Sequence, residues 1–231
     1  MDKLTKQVLD AGYADRVLTE RQLARILGGS DDRRYGLVKR AMQAGSLVQI
    51  KRGHYVLADR YRTHPPHPFR LAQAVVVGSY VSMETALAFH GWIPEAVFTT
   101  VSVTPGRKSK ELDHSAFGRF SFYPLALHKS AFLVGVERRS ISNQTVLVAR
   151  PLRALLDLAA YKKLKWDGIG WVMNGMRIDQ DHLVQTPKRE FVALRKVYKH
   201  KAVLEFLEQL EKEVALLKTY RKAVTKEDLL Q

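Results

Sequence analysis

The chain has 231 residues, with 38 Lys and Arg against 23 Asp and Glu, and a formal net charge of +15. This excess favours a polyanionic partner, either nucleic acid or an acidic protein or membrane surface. The absence of cysteine excludes a disulfide framework, a thiolate zinc site and a cysteine nucleophile. No apolar run approaches the roughly 20 residues that span a bilayer, and the N-terminus lacks the apolar core of a signal peptide. We therefore expect a soluble, cytoplasmic protein without a membrane partner.

Two short helices separated by a glycine turn are predicted between residues 16 and 44. Thr19 and Gln22 have the spacing of a capping box, and the apolar residues that follow recur at helical spacing up to Leu27. Gly28 and Gly29 end this helix, and Ser30 is placed to cap the next one. A helix, a glycine turn and a capped helix at this spacing are typical of a helix-turn-helix.

The second of these helices carries basic side chains away from its apolar face. Leu37, Val38 and Ala41 give the inward face. At about 100° per residue, five residues fall away from this face, namely Arg33, Gly36, Lys39, Arg40 and Gln43. Because Arg and Lys reach both guanine edges and phosphates, this face predicts a recognition helix.

A tight β-hairpin is predicted after the second helix. Residues 47–51 and 54–57 are rich in β-forming residues and flank Arg52-Gly53. Each cation of this region, considered alone, is better interpreted as a solvated surface charge. The joint pattern of helices, hairpin and cations instead predicts a winged helix-turn-helix at residues 1–62 that binds double-stranded DNA. The predicted DNA-binding residues are Arg33, Arg34, Tyr35, Lys39, Arg40, Lys51, Arg52 and His54.

Residues 63–68 are predicted to link two domains, because three of the six are proline. His64 and His67 lie in this segment without a third ligand nearby, so a surface linker is favoured over a metal pair. No metal or other cofactor is expected.

Residues 69–231 are predicted to form a larger α+β domain, because helical and β-rich segments alternate along it. His90 is interpreted as a residue at a helix C-terminus that complements the dipole. Helices are predicted at 69–77, 83–90, 151–163 and 168–177, strands at 99–104, 118–123, 131–136 and 144–149, a turn at 78–81 and a basic loop at 106–110.

Two C-terminal helices are predicted within residues 188–222. Phe191, Leu194 and Val197/Tyr198 mark the first, and the second carries a stripe at 4-3-4-3 spacing formed by Val203, Leu207, Leu210, Val214 and Leu217. Packing of this stripe on the domain is favoured over a dimer or partner interface, because two heptads are short for a coiled coil.

No catalytic constellation is recognisable, so we expect no enzymatic activity. H-E-x-x-H, G-x-S-x-G, P-loop and G-x-G-x-x-G motifs are all missing. A nuclease interpretation would use Glu137, Asp157 and Lys162, but these residues lack the acid-then-acid-x-Lys order on a strand. Neither Gly28-Gly29-Ser30 nor Gly78-Ser79 is followed, at the distance a nucleotidyltransferase requires, by an Asp-x-Asp pair for two metals.

Three segments together resemble a known family. The first is the Gly53-His54-Tyr55 of the hairpin, the second runs from Ser79 to Gly91 (SYVSMETALAFHG), and the third is Arg150 to Asp157 (RPLRALLD). In these segments the chain resembles the AbiEi-type antitoxins and transcriptional regulators of bacterial type IV toxin–antitoxin systems. The resemblance covers residues 14–160.

The resemblance implies a protein with two functions. The N-terminal winged helix would bind inverted repeats in the promoter and repress its own operon, with DNA contacts from Arg33, Arg34, Lys39 and Arg40 in the recognition helix and Lys51 and Arg52 in the wing. The C-terminal domain would counter a nucleotidyltransferase-like toxin without requiring a stable complex. Two copies would bind the repeats, as a dimer or cooperatively.

Two other functions stay open from the sequence. One is a winged-helix transcription factor with a ligand-sensing C-terminal domain and no toxin partner. The other is a nuclease with a DNA-binding arm.

Overall fold

The computed structural model describes residues 1–141 and 144–228, which divide into two compact units. The first unit comprises Met1–Val77 and Ser140–Val146, and the second comprises Gly78–Arg139 and Leu147–Gln231. Both helices and strands are present in the two units, so the chain has the mixed α+β composition that its sequence predicts. Among the described residues, no helix is both long enough and apolar enough to cross a membrane.

The first unit opens with three helices and a small antiparallel sheet. Its sheet has the order β1-β3-β2, in which β2 and β3 form the predicted hairpin. The elements are α1 (Lys3–Asp10), β1 (Leu18–Thr19), α2 (Glu20–Leu27), α3 (Asp31–Gln43), β2 (Leu47–Lys51) and β3 (His54–Leu57).

Local capping explains where α2 and α3 begin. The Thr19 hydroxyl accepts from the Gln22 amide at 3.3 Å, and the Gln22 side chain accepts from the Thr19 amide at 2.9 Å, which completes the predicted capping box. The Ser30 hydroxyl accepts from the amide of Arg33 at the start of α3. Gly28 and Gly29 both have positive φ, at 58° and 74°, so the turn between the helices uses the conformations that glycine adopts at little cost.

One apolar cluster holds the three helices and the hairpin together. Leu23 and Leu27 of α2 and Leu37 and Ala41 of α3 are buried in it. Helix α1, strand β1 and the hairpin complete the cluster with Leu4, Val8, Leu18, Leu47, Tyr55 and Leu57. The apolar faces of α2 and α3 are therefore the predicted ones.

The boundary of the first compact unit differs from the predicted linker. Helix α4 (Pro68–Val75), which the sequence assigns to the second domain, belongs to the first unit. Lys51 Nζ donates to the Val75 carbonyl at 2.8 Å, and the Thr63 amide donates to Asp15 Oδ1 at 2.7 Å. Because these bonds fasten both residues 63–68 and α4 to the first unit, the division falls after Val77.

A six-stranded mixed sheet with the order β6-β7-β5-β4-β9-β8 belongs mostly to the second unit, and its residues 140–141 and 144–146 are part of the first. Strand β5 pairs parallel with β7 and antiparallel with β4, whereas β4 pairs parallel with β9. The strands are β4 (Tyr80–Val81), β5 (Thr99–Thr104), β6 (Lys110–His114), β7 (Gly118–Pro124), β8 (Val136–Ile141) and β9 (Gln144–Ala149). The helices are α5 (Met83–Phe89), α6 (Pro151–Lys162), α7 (Gln180–Gln185), α8 (Lys188–Leu194) and α9 (Lys201–Asp228).

The predicted strand at 131–136 is wrong. A short 3-10 helix covers Lys129–Ala131, and strand β8 begins only at Val136. Gly135 has φ +75°, and a Cβ at this position would lie 3.0 Å from Leu194 Cδ2. A turn at residues 132–135, which ends in a left-handed glycine in close contact with α8, therefore occupies most of the predicted strand.

Other elements differ from the prediction because their partners are distant in sequence. Tyr80 and Val81 are a strand paired with β5 rather than part of a turn, and β6 and α7 were not predicted. The helix predicted at 168–177 is a single π-helical turn at Trp171–Gly175.

The two C-terminal helices are present, and α9 packs within its own unit. Val203, Leu207, Leu210 and Val214 are buried, whereas Leu217 is half-buried. The stripe therefore packs on the domain, which was the favoured alternative. Val197 and Tyr198 lie beyond the end of α8, where Tyr198 forms a β-bridge with Leu127.

Candidate nucleic-acid interface

Helix α3 presents one continuous solvent-exposed face. Asp32, Tyr35, Lys39 and Gln43 are exposed and lie three or four residues apart, so their side chains share a face opposite the buried Leu37. Tyr35 is 72% exposed, which is unusual for so large an aromatic residue. An exposed tyrosine, lysine and glutamine in a row form a surface that can reach the edges of bases.

Arg40 adds a second cation beside this face. It is exposed, and its guanidinium lies close to Gly36, where a Cβ would stand 3.5 Å from Arg40 Nη1. No hydrogen bond or ion pair from the described residues reaches the charged groups of Lys39 or Arg40. Both cations are therefore available to an external anion.

Arg33 does not point away from the protein as the sequence suggested. Its Nη1 donates to the Leu27 carbonyl at 3.0 Å and to the Gly28 carbonyl at 3.2 Å. These carbonyls belong to the C-terminal end of α2, where backbone acceptors lack a partner within the helix. In this arrangement Arg33 joins α3 to the end of α2.

Arg34 is also engaged within the protein. It pairs with the carboxylate of Asp31 and donates to the Gly29 carbonyl, and its side chain is 23% exposed. Contact with a phosphate would require this pair to open, although an exposed pair of this kind contributes about 1 kcal/mol at most.

Three hairpin residues are predicted to contact DNA, namely Lys51, Arg52 and His54, and of these Arg52 is the exposed cation. Arg52 is exposed at the turn, next to Gly53 with φ +77°. Lys51 is half-buried and donates to the Val75 carbonyl, as described above. Burial lowers the pKa of His54 despite its hydrogen bond to the Arg52 carbonyl, which favours the neutral imidazole.

A concavity of about 410 Å³ lies beside α3. Glu20 and Arg21 of α2, Asp31 and Tyr35 of α3 and Tyr55 of the hairpin contribute to its lining. The Glu20 amide donates to the Gly53 carbonyl at 3.1 Å, which holds the hairpin turn against the start of α2. The structure thus brings Tyr35, Lys39 and Arg40 together on α3, keeps Arg52 exposed on the hairpin, and uses Arg33, Arg34 and Lys51 in internal contacts.

Gln43 shares the exposed face of α3 but is not among the predicted DNA-binding residues. It lies one turn beyond Lys39 on the same exposed face, and its amide offers both a donor and an acceptor. The helical spacing of Lys39 and Gln43 is visible in the sequence, so this signal was present.

The second unit contains a completely buried polar cluster around Asp157. Asp157 accepts from Arg153 Nε at 2.9 Å, from the Tyr80 hydroxyl at 2.9 Å, from Ser82 Oγ at 2.7 Å and from the Tyr198 hydroxyl at 2.8 Å. All five side chains are at most 2% exposed. These residues come from two of the segments that carry the family resemblance, together with Tyr198.

The Asp157 cluster is closed to solvent, and its hydrogen bonds stabilise the fold. Burial alone would lower the pKa of Arg153, but Asp157, Tyr198 and Tyr80 together outweigh it and raise that pKa above the ordinary value, so the guanidinium stays charged. Burial, followed by the charge of Asp157, raises the pKa of Tyr80 and Tyr198 well above the usual range, so both hydroxyls stay protonated and donate. Each group is thereby fixed in the state that its hydrogen bonds require.

The residues considered for a nuclease are held apart in separate pairs. Asp157 is enclosed in its cluster, Glu137 pairs with Arg139 at 2.7 Å, and Lys162 pairs with Glu84 at 3.4 Å. Among the described side chains, those of residues 1–141, 144–221 and 223, no three from His, Asp or Glu lie close enough together to hold a metal ion.

Comparison of the chain with protein-family models and with curated proteins gives no match.

Proposed function

We propose that the first unit is a winged helix-turn-helix that binds double-stranded DNA in a sequence-specific manner. The observation that carries this proposal is the exposed face of α3, on which Tyr35, Lys39, Arg40 and Gln43 lie with unpaired polar groups. The order α1-β1-α2-α3-β2-β3 supports it, because the capped α3 follows a glycine turn and is followed at once by a hairpin.

The chemistry of α3 suits the major groove. Lys39 and Arg40 can donate to guanine O6 and N7 or to phosphates, and the Gln43 amide matches the donor and acceptor pattern of adenine. Arg52 at the hairpin turn is suited to a backbone or minor-groove contact. Asp32 on the same face repels phosphates and so restricts how α3 enters the groove.

The wider role that we propose is that of an autorepressing antitoxin of a type IV system. This step rests on the resemblance to AbiEi-type regulators. The first unit would bind inverted repeats in its own promoter, as two copies bound cooperatively or as a dimer. The second unit would counter a nucleotidyltransferase-like toxin, without a need for a stable complex.

DNA binding is tested with Lys39→Gln in the full-length protein. We expect this variant to lose most of its affinity for duplex DNA from its own promoter, because one base or phosphate contact is removed from the centre of α3. Lys6→Gln is the matched control, since Lys6 is an exposed lysine of α1 in the same unit and the charge change is identical. Equal promoter binding by the parent and Lys39→Gln would refute the assignment of α3.

The antitoxin role is tested by co-expression with the product of an adjacent nucleotidyltransferase-like gene. We expect both the parent protein and Lys39→Gln to restore growth, because neutralisation is assigned to the second unit and not to α3. Failure of the parent to restore growth would refute the antitoxin role while leaving the DNA-binding proposal intact.

A ligand-responsive transcription factor is the second candidate. A concavity of about 730 Å³ between α8 and α9, lined in part by Phe191, Arg195 and Glu208, has the size of a small-molecule site. A small molecule that binds the second unit and changes promoter affinity, with no effect on a toxin, would favour this function.

A further inference from the structure

A dense group of cations lies at the junction of α8 and α9. Within residues 195–201 there are four Lys or Arg residues, one His and no acidic residue. All five are exposed, namely Arg195, Lys196, Lys199, His200 and Lys201. The proposed DNA-binding unit does not include this segment.

The backbone beneath these cations is fixed. The Val197 carbonyl accepts from the His128 amide at 2.9 Å, and the Lys199 amide donates to the Ala126 carbonyl at 3.0 Å. Between them Tyr198 is buried, and its hydroxyl donates to Asp157 in the cluster described above. The cations of this segment therefore project from a backbone that does not need to be ordered on binding.

A concavity of about 500 Å³ lies beside this segment. Lys163 at the end of α6 and His200 at the start of α9 both line it. Its walls are otherwise largely apolar and include Leu125, Leu164 and Val203. A mostly apolar cavity of this size with a few basic groups is suited to a ligand that combines a flat apolar body with negative charge.

Lys163, which lines this concavity, and Lys199 and Lys201, which flank the lining residue His200 in sequence, are available to bind an anion. No acidic side chain of residues 1–141, 144–221 or 223 forms an ion pair with Lys163, Lys199 or Lys201. Their neighbours differ, since Lys162 pairs with Glu84 and Arg195 pairs with Glu211.

An aromatic ring completes the concavity. Tyr161 lines it and is 42% exposed, while its ring packs against that of Tyr123 at a centroid distance of 4.3 Å. The ring is thus supported on one side and accessible on another, which is the arrangement that base stacking requires.

We propose that this concavity binds a nucleotide of single-stranded nucleic acid, with its base against Tyr161 and its flanking phosphates on Lys163, Lys199 and Lys201. Basic grooves with aromatic platforms are the general means by which proteins bind single strands without sequence readout. A lipid surface or an acidic protein would use the cations but not the enclosed apolar walls. The proposal is independent of duplex binding by α3.

The test measures binding of labelled single-stranded 12-mers, one of DNA and one of RNA, to the full-length protein by fluorescence anisotropy at several salt concentrations. The variant is Lys163→Gln/Lys199→Gln/Lys201→Gln. The matched control is Arg107→Gln/Lys108→Gln/Lys110→Gln, which removes the same charge from exposed residues of the β5–β6 loop and the first position of β6, in the same unit. For single strands, each lost phosphate contact lowers the slope of log affinity against log salt by about 0.7, so the variant should lose about 2 in slope.

A second pair of variants tests the aromatic platform. Tyr161→Ala should weaken binding by about fivefold or more, whereas Tyr161→Phe should bind like the parent, because stacking needs the ring and not the hydroxyl. Loss of the Tyr161→Ala effect with an abasic 12-mer would further support base stacking.

The salt slopes of the triple variant and of its matched control decide the result. A loss of slope in the variant with either the DNA or the RNA strand, and none in the control, supports the proposal. An unchanged slope, or an equal loss in variant and control, overturns it. Promoter binding by the parent and its loss in Lys39→Gln would still be observed in that case, so failure here is distinct from failure of the proposed duplex binding.

Discussion

Arg153 and Asp157 form an ion pair that is entirely enclosed by the second unit. Arg153 Nε donates to Asp157 Oδ1 at 2.9 Å, one helical turn apart on α6, and neither side chain is exposed. A buried pair is costly unless its remaining polar atoms are also bonded. That condition is met here, because Arg153 Nη1 also donates to the Val134 carbonyl at 2.6 Å and Asp157 accepts three hydroxyl donors.

Removal of Asp157 should therefore destabilise the protein strongly. We expect Asp157→Ala to lower the free energy of unfolding by about 3–5 kcal/mol, because the Arg153 charge would remain buried without its partner. Tyr198→Phe removes a single donor from the same cluster and should cost about 1–3 kcal/mol. Both values are measured by urea denaturation.

An exposed ion pair provides the control for this prediction. Asp113 and Arg119 are 3.2 Å apart, with side chains 69% and 63% exposed, so Asp113→Ala should change stability by less than about 1 kcal/mol. Equal effects of the Asp157 and Asp113 variants would contradict the structural role of the cluster.

The Asp157 cluster also shows what the sequence could not reveal. Arg153 and Asp157 stand at helical spacing, and in the sequence this is equally typical of a surface pair. Their partners Tyr80 and Tyr198 lie more than 40 residues away on either side. Only the pairing of β4 with β5 and β9, and the bridge at Tyr198, brings these hydroxyls to the carboxylate.

The first unit was largely predictable because its determinants are local. The capping box at Thr19, the cap at Ser30 and the apolar spacing of α2 and α3 each act within one turn of helix, and the observed elements follow them. Side-chain direction was not predictable to the same degree. Arg33 lies at the edge of α3 nearest the end of α2, and its choice of backbone carbonyls over solvent depends on the turn geometry.

The capping box at the start of α2 should make a measurable contribution. We expect Thr19→Ala to lower the unfolding free energy by about 1 kcal/mol, because the Gln22 amide loses its acceptor. Thr63→Ala is a suitable control, since Thr63 is exposed and lies outside any helix of the same unit. A Thr19 variant as stable as the Thr63 variant would argue against the box.

Arg33 and Lys39 should differ in what their replacement affects. We expect Arg33→Ala to lower the unfolding free energy by about 1 kcal/mol, because two carbonyls at the end of α2 lose their donor. Lys39→Ala should leave stability unchanged and weaken promoter binding, with the slope of log affinity against log salt lower by about 0.9 if the contact is to phosphate. Promoter affinity and urea denaturation are measured on both variants, and identical profiles would refute the distinction.

His90 should make the stability of the protein depend on pH. Its position as the C-cap of α5 is the predicted one, but its side chain is 10% exposed and its Nε2 lies 3.0 Å from the Ala149 carbonyl. Burial lowers the pKa of His90, and it outweighs the opposing effects of that carbonyl and of Glu137. The neutral imidazole is therefore favoured in the folded protein, contrary to the expectation of a cation that complements the dipole.

The sign of the effect follows from this lowered pKa. Below the ordinary histidine pKa near 6.5, His90 binds a proton more readily in the unfolded chain than in the folded protein. The contribution of neutral His90 to folding stability is therefore complete above about pH 6.5 and is lost as the pH falls towards the pKa of His90 in the folded protein. We expect the unfolding free energy to decrease between pH 7.5 and 5.5, by less than about 1.4 kcal/mol per pH unit for this one proton. His90→Gln keeps a donor for Ala149 but does not titrate, and it should flatten the decrease. His54 and His67, whose pKa values are also lowered chiefly by burial, should leave a residual slope. Stability that rose on acidification through this window, or a slope unaffected by His90→Gln, would show that His90 is not held neutral.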